Sequence, residues 1–418
     1  MPALNKAEWV RLNQDLNSQM ILAPLPRHAP MGIYIHIPFC SHICPYCDFT
    51  TYAGKEPLIS RYVASLARDL ARQAHSVHDR EIVSIFVGGG TPSLLGGDQM
   101  RTVLDACRYN YSLAAGCEIS VETNPNSLTL PLLAAYRDAG INRLSIGAQT
   151  MDRRGLRRLG RHHESNDVLT ALENAHAAGF ERISVDAIFG WPGQSLDVWR
   201  RDLETLLGAP HPPNHLSLYS LIVEPGTPFA DAQARGILHI PDDDATADMY
   251  EHAIETLDKV GWTHYEIANW SQRPDDYSCH NALYWQHGDY LGVGACAHGH
   301  LDGVRTMNHL LPERWCDAVE NVGDTVSNRE PIDFRTSLTE TFLMGLRLLQ
   351  DGISADAFER RHGVTIEELS GPNIEAMVAT ELVERTESRI RLTQRGAMLA
   401  NDVIARITEF DKAAVAKP

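Results

Sequence analysis

Short apolar runs alternate with longer segments of helical periodicity from Gly32 onward. Short apolar runs are typical of buried strands, and apolar positions spaced by three or four residues are typical of helices. The six runs are IYIHI (33–37), IVSIFV (82–87), EISVE (118–122), RLSIGAQ (143–149), RISVDAIFG (182–190) and HLSLYSL (215–221). The helical segments between them are 57–75, 97–109, 128–139, 165–179 and 194–207. This order predicts an α/β fold for residues 31–240, with a parallel sheet that is curved into a partial (βα)6 barrel or left open and doubly wound.

The alternation stops near residue 240, and residues 241–330 have a different character. A helical pattern at 243–260 is followed by an aromatic-rich stretch that fits no strand–helix unit. We interpret this part as a linker and a ligand-binding segment. Residues 1–30 form an N-terminal extension, either a helix at 6–18 or a solvated tail.

The last part of the chain, residues 331–418, resembles a winged-helix domain in its order of elements. Helical patterns at 337–350, 354–361 and 372–380 precede the segment LVERTESRIRLT, which has the alternation of a β-hairpin. We therefore expect an additional C-terminal domain that is mostly helical.

The composition is that of a globular protein with an acidic surface. The chain of 418 residues has 37 Lys and Arg against 54 Asp and Glu, a formal net charge of −17. Negative charge repels phosphate backbones and no local basic patch stands out, which disfavours nucleic acid as a partner. No run of about 18 apolar residues and no secretory signal occurs, so we expect a cytoplasmic protein without a transmembrane segment. Peripheral membrane contact stays open, as does the choice between monomer and homodimer.

Three cysteines, Cys40, Cys44 and Cys47, lie within eight residues directly after the first predicted strand. Thiolates are soft ligands that suit zinc or iron–sulfur clusters. A closed zinc site needs four ligands, and no second pair of closely spaced cysteines follows, so zinc would require His42 or His36. Three cysteines on a four-iron cluster instead leave one iron open to a substrate, and we favour this interpretation.

Polar residues follow the apolar runs one after another. Ligands of parallel α/β folds bind at the carboxyl ends of the strands, so these residues are candidates for one binding site. They are Gly88, Gly89, Gly90 and Thr91 after the second run, Glu122, Gln149 and Asp186 at the next three, and Arg161 in the connection after Gln149. A glycine turn lets its backbone approach a ligand and donate N–H groups to a carboxylate, and Thr91 adds a hydroxyl.

The CxxxCxxC spacing preceded by IHIPF resembles the radical S-adenosylmethionine (SAM) superfamily. Within it, the elements YxHIPFC, GGGTP, ExNP and GxQ are similar to the oxygen-independent coproporphyrinogen oxidase group, from about Gly32 to the C-terminus. This resemblance implies a partial barrel, a [4Fe-4S] cluster on the three cysteines, and bound SAM. In this superfamily one electron from the reduced cluster breaks a bond of the SAM sulfonium. The protein binds and orients SAM and excludes water from the site.

The resemblance also implies roles for the residues that match the motifs. Tyr34 and Tyr46 would line the SAM site, and Gly89, Gly90 and Thr91 would contact the methionine part of SAM. The remaining groups, which would hold SAM by hydrogen bonds, are Glu122, Gln149, Arg161 and Asp186. His36, beside the cysteine loop, would be a proton donor or a surface residue at the strand end.

One departure points to a particular branch of this group. The oxidase has a further cysteine two positions after the cluster motif, whereas Asp48 and Phe49 follow Cys47 here. The segments CPYCDF, HYEIANW, CHNALYW and DYLGVGACAHG are similar to the heme-chaperone branch, which delivers heme to respiratory proteins. The resemblance therefore implies heme as cargo and heme-accepting proteins as partners. The alternative is an enzyme that decarboxylates coproporphyrinogen III with a 5′-deoxyadenosyl radical.

The segment CHNALYW offers possible axial ligands for heme. His280 is the first candidate, Cys279 and Tyr284 follow, and His298 and His300 are weaker ones. The competing interpretation is that His280 forms a hydrogen bond with a backbone group and that the flanking Trp270 and Trp285 are both packed in the core.

Overall fold

The computed structural model describes residues 29–410, and a 12-stranded sheet forms its centre. The strands of this sheet, together with the short pair β2 and β3, are β1 (Met31–Ile37), β2 (Phe39–Cys40), β3 (Tyr52–Ala53), β4 (Glu81–Gly89), β5 (Ser112–Thr123), β6 (Arg143–Gln149), β7 (Arg182–Phe189), β8 (His215–Ser220), β9 (Thr263–Glu266), β10 (Asn269–Ser271), β11 (Tyr290–Val293), β12 (His298–Leu301), β13 (Val304–Asn308) and β14 (Val326–Pro331). Their order across the sheet is β14-β13-β12-β11-β1-β4-β5-β6-β7-β8-β10-β9.

The strands from β11 to β8 in this order are parallel, so their carboxyl ends share one edge of the sheet. We call it the carboxyl edge and the opposite one the amino edge. All six strands predicted from the apolar runs are present, and β5 starts earlier than its run. On β1 the side chains of Ile33, Ile35 and Ile37 are fully buried in the main core, while Tyr34 and His36 point to the other face.

Helices connect the parallel strands close to their predicted positions. They are Ile59–Gln73, Gly97–Asn110, Leu130–Asp138, Arg153–Arg158, Ser165–Ala177 and Leu196–Leu207, followed by Pro228–Ala234 and Asp243–Lys259. Local sequence explains where they begin, because Ser195 Oγ accepts a hydrogen bond from Val198 N and Thr129 Oγ1 one from Leu132 N. The first of these caps precedes a helix that buries Trp199 against the sheet.

The interpretation of residues 241–330 as a linker needs correction. Strands β9 and β10 extend one side of the sheet beyond β8, and β11 to β14 extend the other side beyond β1. The short apolar run of β11 lies beside β1 in parallel register, with Gly32 opposite Tyr290 and Ile35 opposite Val293. The helices Cys279–Trp285 and Pro312–Glu320 also belong to this part. It is integral to the sheet because these strands satisfy backbone groups that β1 and β8 would otherwise leave open.

The C-terminal part forms a second core, built from helices and a three-stranded sheet. Its helices are Phe334–Gly345, Ala355–His362, Ile366–Ala379, Gln394–Met398 and Ala400–Ile407, and its strands are β15 (Ile353–Ser354), β16 (Val383–Arg385) and β17 (Arg389–Leu392). The predicted hairpin is β16 and β17, and β15 pairs with β17. The third helix begins earlier than its pattern indicated because Thr365 caps it, and it bends at Ser370, just before Pro372.

Within residues 29–410 no helix is long and apolar enough to cross a membrane. The helix predicted at 6–18 lies outside the described residues.

Candidate functional site

A loop at the carboxyl edge carries the three clustered cysteines. The strands β2 and β3 pair at its base, with Phe39 opposite Tyr52, and Tyr52 N donates to Pro38 O at 2.7 Å. The tip is fixed by Cys47 N donating to Cys44 O at 3.1 Å. Cys40, Cys44 and Cys47 all line one wall of a cavity of about 410 Å³ that opens at this edge.

The thiols fit an iron–sulfur cluster better than a closed zinc site. His42 Nε2 lies 2.9 Å from Gly160 O and 3.9 Å from Cys44 Sγ, and His36 Nδ1 is hydrogen-bonded to the Tyr34 hydroxyl at 2.8 Å. Both imidazoles therefore have other partners. Among residues 29–410 no three His, Cys, Asp or Glu side chains converge as on a single ion. Thiolates that each bind a different iron do not have to converge in that way.

Two carboxyl groups form the opposite wall of the cavity. Glu122 Oε2 accepts a hydrogen bond from Gly89 N at 2.9 Å, and Ser145 Oγ donates to Asp186 at 2.8 Å. Burial raises the pKa of Glu122 to about 7, with the nearby charge of Asp186 adding to the shift. Burial also raises the pKa of Asp186, although hydrogen bonds from serine hydroxyls oppose this. A ligand that brings positive charge or hydroxyl donors would therefore be stabilised between these carboxyls.

Arg161 joins the two walls. Its Nη2 donates to Asn124 Oδ1 at 2.7 Å and to Gly147 O at 3.0 Å, and its Nη1 lies 3.8 Å from Cys44 Sγ. Its Nε is buried and has no hydrogen-bond partner in the described part of the chain. A buried N–H without a partner is costly, so this atom is suited to a carboxylate of a bound ligand.

The glycine turn between the walls differs in one respect from the expectation. The N–H of Gly89 is used by Glu122, that of Gly90 by Ile37 O and that of Thr91 by Phe39 O, so they are not free for a ligand carboxylate. The close approach that the structure shows is to a side chain of the protein. At Gly89 φ is +114°, and a Cβ there would lie 2.6 Å from the His36 ring. Only glycine fits this position, and the turn can pack flat against a ligand.

Most of the residues predicted for the SAM site line the cavity. They are Tyr46, Gly89, Gly90, Thr91, Glu122, Gln149, Arg161 and Asp186. Gln149 has a left-handed backbone with φ of +65° next to an irregular pairing of β6 with β7, a conformation that is uncommon outside glycine. Such strain is typical of binding sites.

Tyr34 and His36 lie beneath the cavity rather than in it. Tyr34 is not among the lining residues, and its hydroxyl bonds to His36, whose ring supports Gly89 from below. His36 is 6% exposed, which corrects its interpretation as a surface residue. Burial lowers the pKa of His36 to about 4, so its ring is neutral near pH 7 and does not carry an acidic proton.

Sequence reasoning missed several lining residues. Asn124 bonds to Arg161, and Tyr219 is 42% exposed at the end of β8. The position of Asn124 directly after a strand, in the ExNP element, was a signal that could have found it. Exposed apolar side chains surround the opening: Ile43 is 51% exposed, Phe49 64% and Ile222 66%. Nothing in their local sequence distinguishes them, because two separate connections, the cysteine loop and the segment after β8, bring them together.

The segment CHNALYW lies at the opposite end of the sheet. It forms the helix Cys279–Trp285, whose first N–H groups, of Cys279 and His280, donate to Glu118 at 3.1 and 3.2 Å. His280 is fully buried, its Nδ1 bonds to Ser84 Oγ and its Nε2 to Tyr284 Oη, each at 2.8 Å. In this arrangement neither ring nitrogen is available to an iron. The competing interpretation of a hydrogen-bonded core histidine describes the observed geometry, with side-chain rather than backbone partners.

The other candidate ligands are divided between the two edges. Cys279 is exposed at the amino edge. His300 is buried there, with Nδ1 3.1 Å from Gly288 O. His298 lies near the carboxyl edge, opposite Met307 in the β12–β13 pair. Its side chain is exposed and has no hydrogen bond to any described residue.

Comparisons with known proteins agree with this geometry. Residues 34–206 match the model of the Radical SAM superfamily, and residues 333–399 match that of the HemN C-terminal domain. Curated proteins named heme chaperone HemW, from Lactococcus lactis and Escherichia coli, are each 34% identical to this chain and cover 90% of it and 97% of their own length. The solved structure of coproporphyrinogen III oxidase (HemN) from Escherichia coli matches 97% of this chain and 94% of its own, with a TM-score of 0.77 and 19% identity.

The likeness to that solved structure concerns the fold alone, because the sequence identity is low. Together with the family models it confirms the predicted radical SAM barrel with an additional C-terminal domain. A [4Fe-4S] cluster and SAM are the cofactors that the superfamily implies, and the three thiols, the unpartnered Arg161 Nε and the buried carboxyls suit them.

Proposed function

This chain belongs to the HemW family of radical SAM heme chaperones, and from that premise we propose that it binds heme and transfers it to acceptor proteins in the cytoplasm or at the membrane surface. The relatives that carry this name match nearly the whole chain, and this is the observation that supports the proposal. Respiratory proteins are the acceptors that the sequence resemblance implies.

The cavity at the carboxyl edge serves the cluster and SAM in this proposal. Cys40, Cys44 and Cys47 would hold the cluster. Arg161 Nε would pair with the carboxylate of SAM, and Glu122 and Asp186 would accept hydrogen bonds from it. When bound, the reduced cluster supplies one electron to the SAM sulfonium. The chain itself binds and orients SAM between two walls and excludes water from its buried carboxyls.

The axial ligand of heme stays a prediction, and the geometry adds a condition to it. If His280 ligates iron, it must give up its bond to Ser84 or to Tyr284, and the helix Cys279–Trp285 must shift from the amino edge. Heme binding would then expose amides of this helix. His298 would need no such change, because its side chain is exposed and forms no hydrogen bond with the described residues.

Heme titration of one anaerobically reconstituted preparation tests the function. We expect the wild type to bind heme, His280→Ala to lose or alter the heme spectrum, and cluster and SAM binding to persist. If His298→Ala loses heme binding and His280→Ala retains it, the axial ligand is His298, at the carboxyl edge. A wild type that binds no heme would overturn the chaperone proposal.

Decarboxylation of coproporphyrinogen III is the competing function. In place of the additional cysteine of the oxidase, the chain has Phe49, which is 64% exposed at the opening of the cavity. We therefore expect no release of carbon dioxide from coproporphyrinogen III by the same preparation. Turnover comparable to that of an oxidase control, with SAM consumed in proportion, would favour the enzyme.

A further inference from the structure

A basic surface lies beside the cysteine loop, although the chain as a whole is strongly acidic. The helix Arg153–Arg158 exposes Arg153, Arg154, Arg157 and Arg158 to solvent. The expectation that no local basic patch stands out is wrong here, because the segment RRGLRR (153–158) places four arginines within six residues. The formal charge of −17 is an average over the chain and conceals this cluster. We call these four side chains the arginine surface.

The arginine surface is largely uncompensated. Of the four side chains only that of Arg153 forms an ion pair within the described residues, with Nε 3.5 Å from Glu164 Oε2, and both side chains are mostly exposed. Arg154, Arg157 and Arg158 form no ion pair with any residue in the described range 29–410. Exposed ion pairs contribute little, so even Arg153 keeps most of its charge for a partner.

The helix that carries these arginines is fixed in place. Asp152 caps it by accepting from Arg154 N and Gly155 N, both at 2.9 Å. Its other face buries Leu156 and Gly155, and a Cβ at Gly155 would lie 2.6 Å from the Trp191 ring. The four guanidinium groups therefore project from a rigid base and not from a loose loop.

The same helix leads directly into contacts with the cysteine loop. Gly160 packs on Pro45, where a Cβ at residue 160 would lie 2.5 Å from the proline ring, and Gly160 O contacts His42 Nε2 at 2.9 Å. Arg161 reaches Cys44 Sγ at 3.8 Å. A protein bound on the arginine surface would thus lie next to the loop that holds the proposed cluster.

We propose that the arginine surface is the docking site of a small acidic one-electron carrier protein. The inference rests on the proposed function, since a [4Fe-4S] cluster must gain one electron before it can transfer it to SAM. In that step the carrier is oxidised by one electron and the cluster is reduced by one, with no bond made or broken. Charge complementarity selects the partner: opposite charge accelerates encounter, and the surrounding acidic surface confines contact to this patch.

A nucleic acid is a poorer occupant of this surface. A polyanion extends beyond four arginines and would meet the acidic remainder of the protein, which repels phosphates. A compact acidic protein can place its negative patch on the arginines alone. An electron carrier bound beside the cysteine loop would lie close to the cluster that it reduces. RNA bound there would gain nothing from that position.

The test uses a purified acidic flavodoxin in its hydroquinone form as the carrier. The triple variant Arg154→Glu, Arg157→Glu, Arg158→Glu is compared with wild type after both are shown to hold equal iron and sulfide. Cluster reduction is followed by stopped-flow absorbance and by electron paramagnetic resonance. We expect about tenfold or greater slowing in the variant, and a wild-type rate that falls steeply with salt.

Two controls separate docking from other effects. The triple variant Arg335→Glu, Arg360→Glu, Arg395→Glu changes the net charge equally on exposed positions of the C-terminal part and should stay within about twofold of wild type. Reduction by a small neutral photoreductant should be the same in all three proteins.

Other results would contradict the docking proposal. Equal rates and equal salt dependence in wild type and the arginine variant would overturn it, as would loss of binding to a single-stranded RNA oligonucleotide with unchanged reduction by flavodoxin. A chain that assembles no cluster at all would instead overturn the proposed function on which the inference rests.

Discussion

At the scale of single residues, the cavity is defined by polar atoms that lack partners of opposite charge. Glu122 on β5 and Asp186 on β7 lie on the same wall of the cavity, neither forms an ion pair with a described residue, and their pKa values are raised mainly by burial. Arg161 Nε on the neighbouring wall has no acceptor. Burying these groups without partners costs free energy in the protein alone. A ligand that carries both a positive and a negative charge supplies the missing partners.

The pH dependence of SAM binding should follow Glu122. Its pKa is about 7 because burial disfavours the carboxylate, and a cationic ligand favours the carboxylate. Affinity should therefore rise as pH increases from 6 to 8, by at most about tenfold per pH unit below the pKa, with proton release on binding. Calorimetry in buffers of different ionisation enthalpy measures the affinity and the number of protons released. Glu122→Gln should remove the pH step, and the exposed Glu164→Gln should keep it; equal wild-type affinity at both pH values would refute this.

Asp186 should contribute directly to SAM affinity. Replacement by Ala leaves Ser145 Oγ and the ligand donors without an acceptor, which costs roughly 1 to 3 kcal/mol. Calorimetric titration should show this loss while iron and sulfide contents stay constant. The exposed Asp197→Ala serves as control, and an unchanged affinity in Asp186→Ala would place the SAM site elsewhere.

At the scale of elements, the helix Cys279–Trp285 closes the amino edge of the sheet. Glu118 accepts its first N–H groups, and Arg182 Nη2 donates to the same carboxylate at 2.5 Å. Burial by itself would raise the pKa of Glu118, but Arg143, Arg182 and the helix N–H groups outweigh it and lower the pKa. The helix and the charges at the end of the sheet thus stabilise each other.

Glu118→Gln should loosen this helix. The substitution leaves Arg182 without its anionic partner and removes the negative charge near the buried Arg143, which destabilises by about 3 kcal/mol. Hydrogen exchange should show faster exchange of amides in residues 279–285. Because the folded pKa is lowered, the stabilisation exists at neutral pH and disappears as pH falls through the folded pKa. The exposed Glu181→Gln at the same edge should behave like wild type, and unchanged protection in Glu118→Gln would argue against the cap.

At the scale of the whole molecule, the C-terminal part is joined to the sheet by backbone and by charge. Leu349 N donates to Tyr265 O at 2.9 Å, and Arg361 Nη1 donates to His287 O at 3.0 Å. Glu340 binds Arg305 of β13 and lies 3.3 Å from His287 Nε2. The two cores therefore share a polar junction that lies on the amino-edge side, away from the cysteine loop.

Glu340→Gln should weaken that junction. Burial raises the pKa of Glu340, yet hydrogen bonds from His287 and Arg305 outweigh it and hold the pKa at about 2 instead of 4.5. The stabilisation is present above about pH 4.5 and lost as pH falls through about 2. At pH 7 the variant should show faster exchange in residues 334–345 with unchanged exchange in β4 to β6. The matched control is Glu330→Gln, the exposed partner of Arg305; equal exchange in all three proteins would contradict the role of the junction.

Prediction from sequence succeeded where the determining signal was local. Apolar runs located β1 and β4 to β8, and helical periodicity located the helices between them, because both patterns depend on a few neighbouring residues. The three cysteines were found by spacing alone. The residues at the strand ends were found because parallel strands place their carboxyl ends together, although the use of the Gly89 to Thr91 N–H groups within the protein was not foreseeable.

The sequence by itself determined the parallel sheet, the cysteine loop and the polar residues that line the cavity at the ends of β4 to β7, since short-range periodicity and strand direction specify them. Only the tertiary structure decided the place of residues 263–331 at both sides of the sheet, the burial of His280 at the amino edge, and the position of the arginine surface beside Cys44. The physical reason is that these features depend on contacts between distant segments. Ser84 with His280 and Glu118 with Cys279 are pairs that no local pattern encodes.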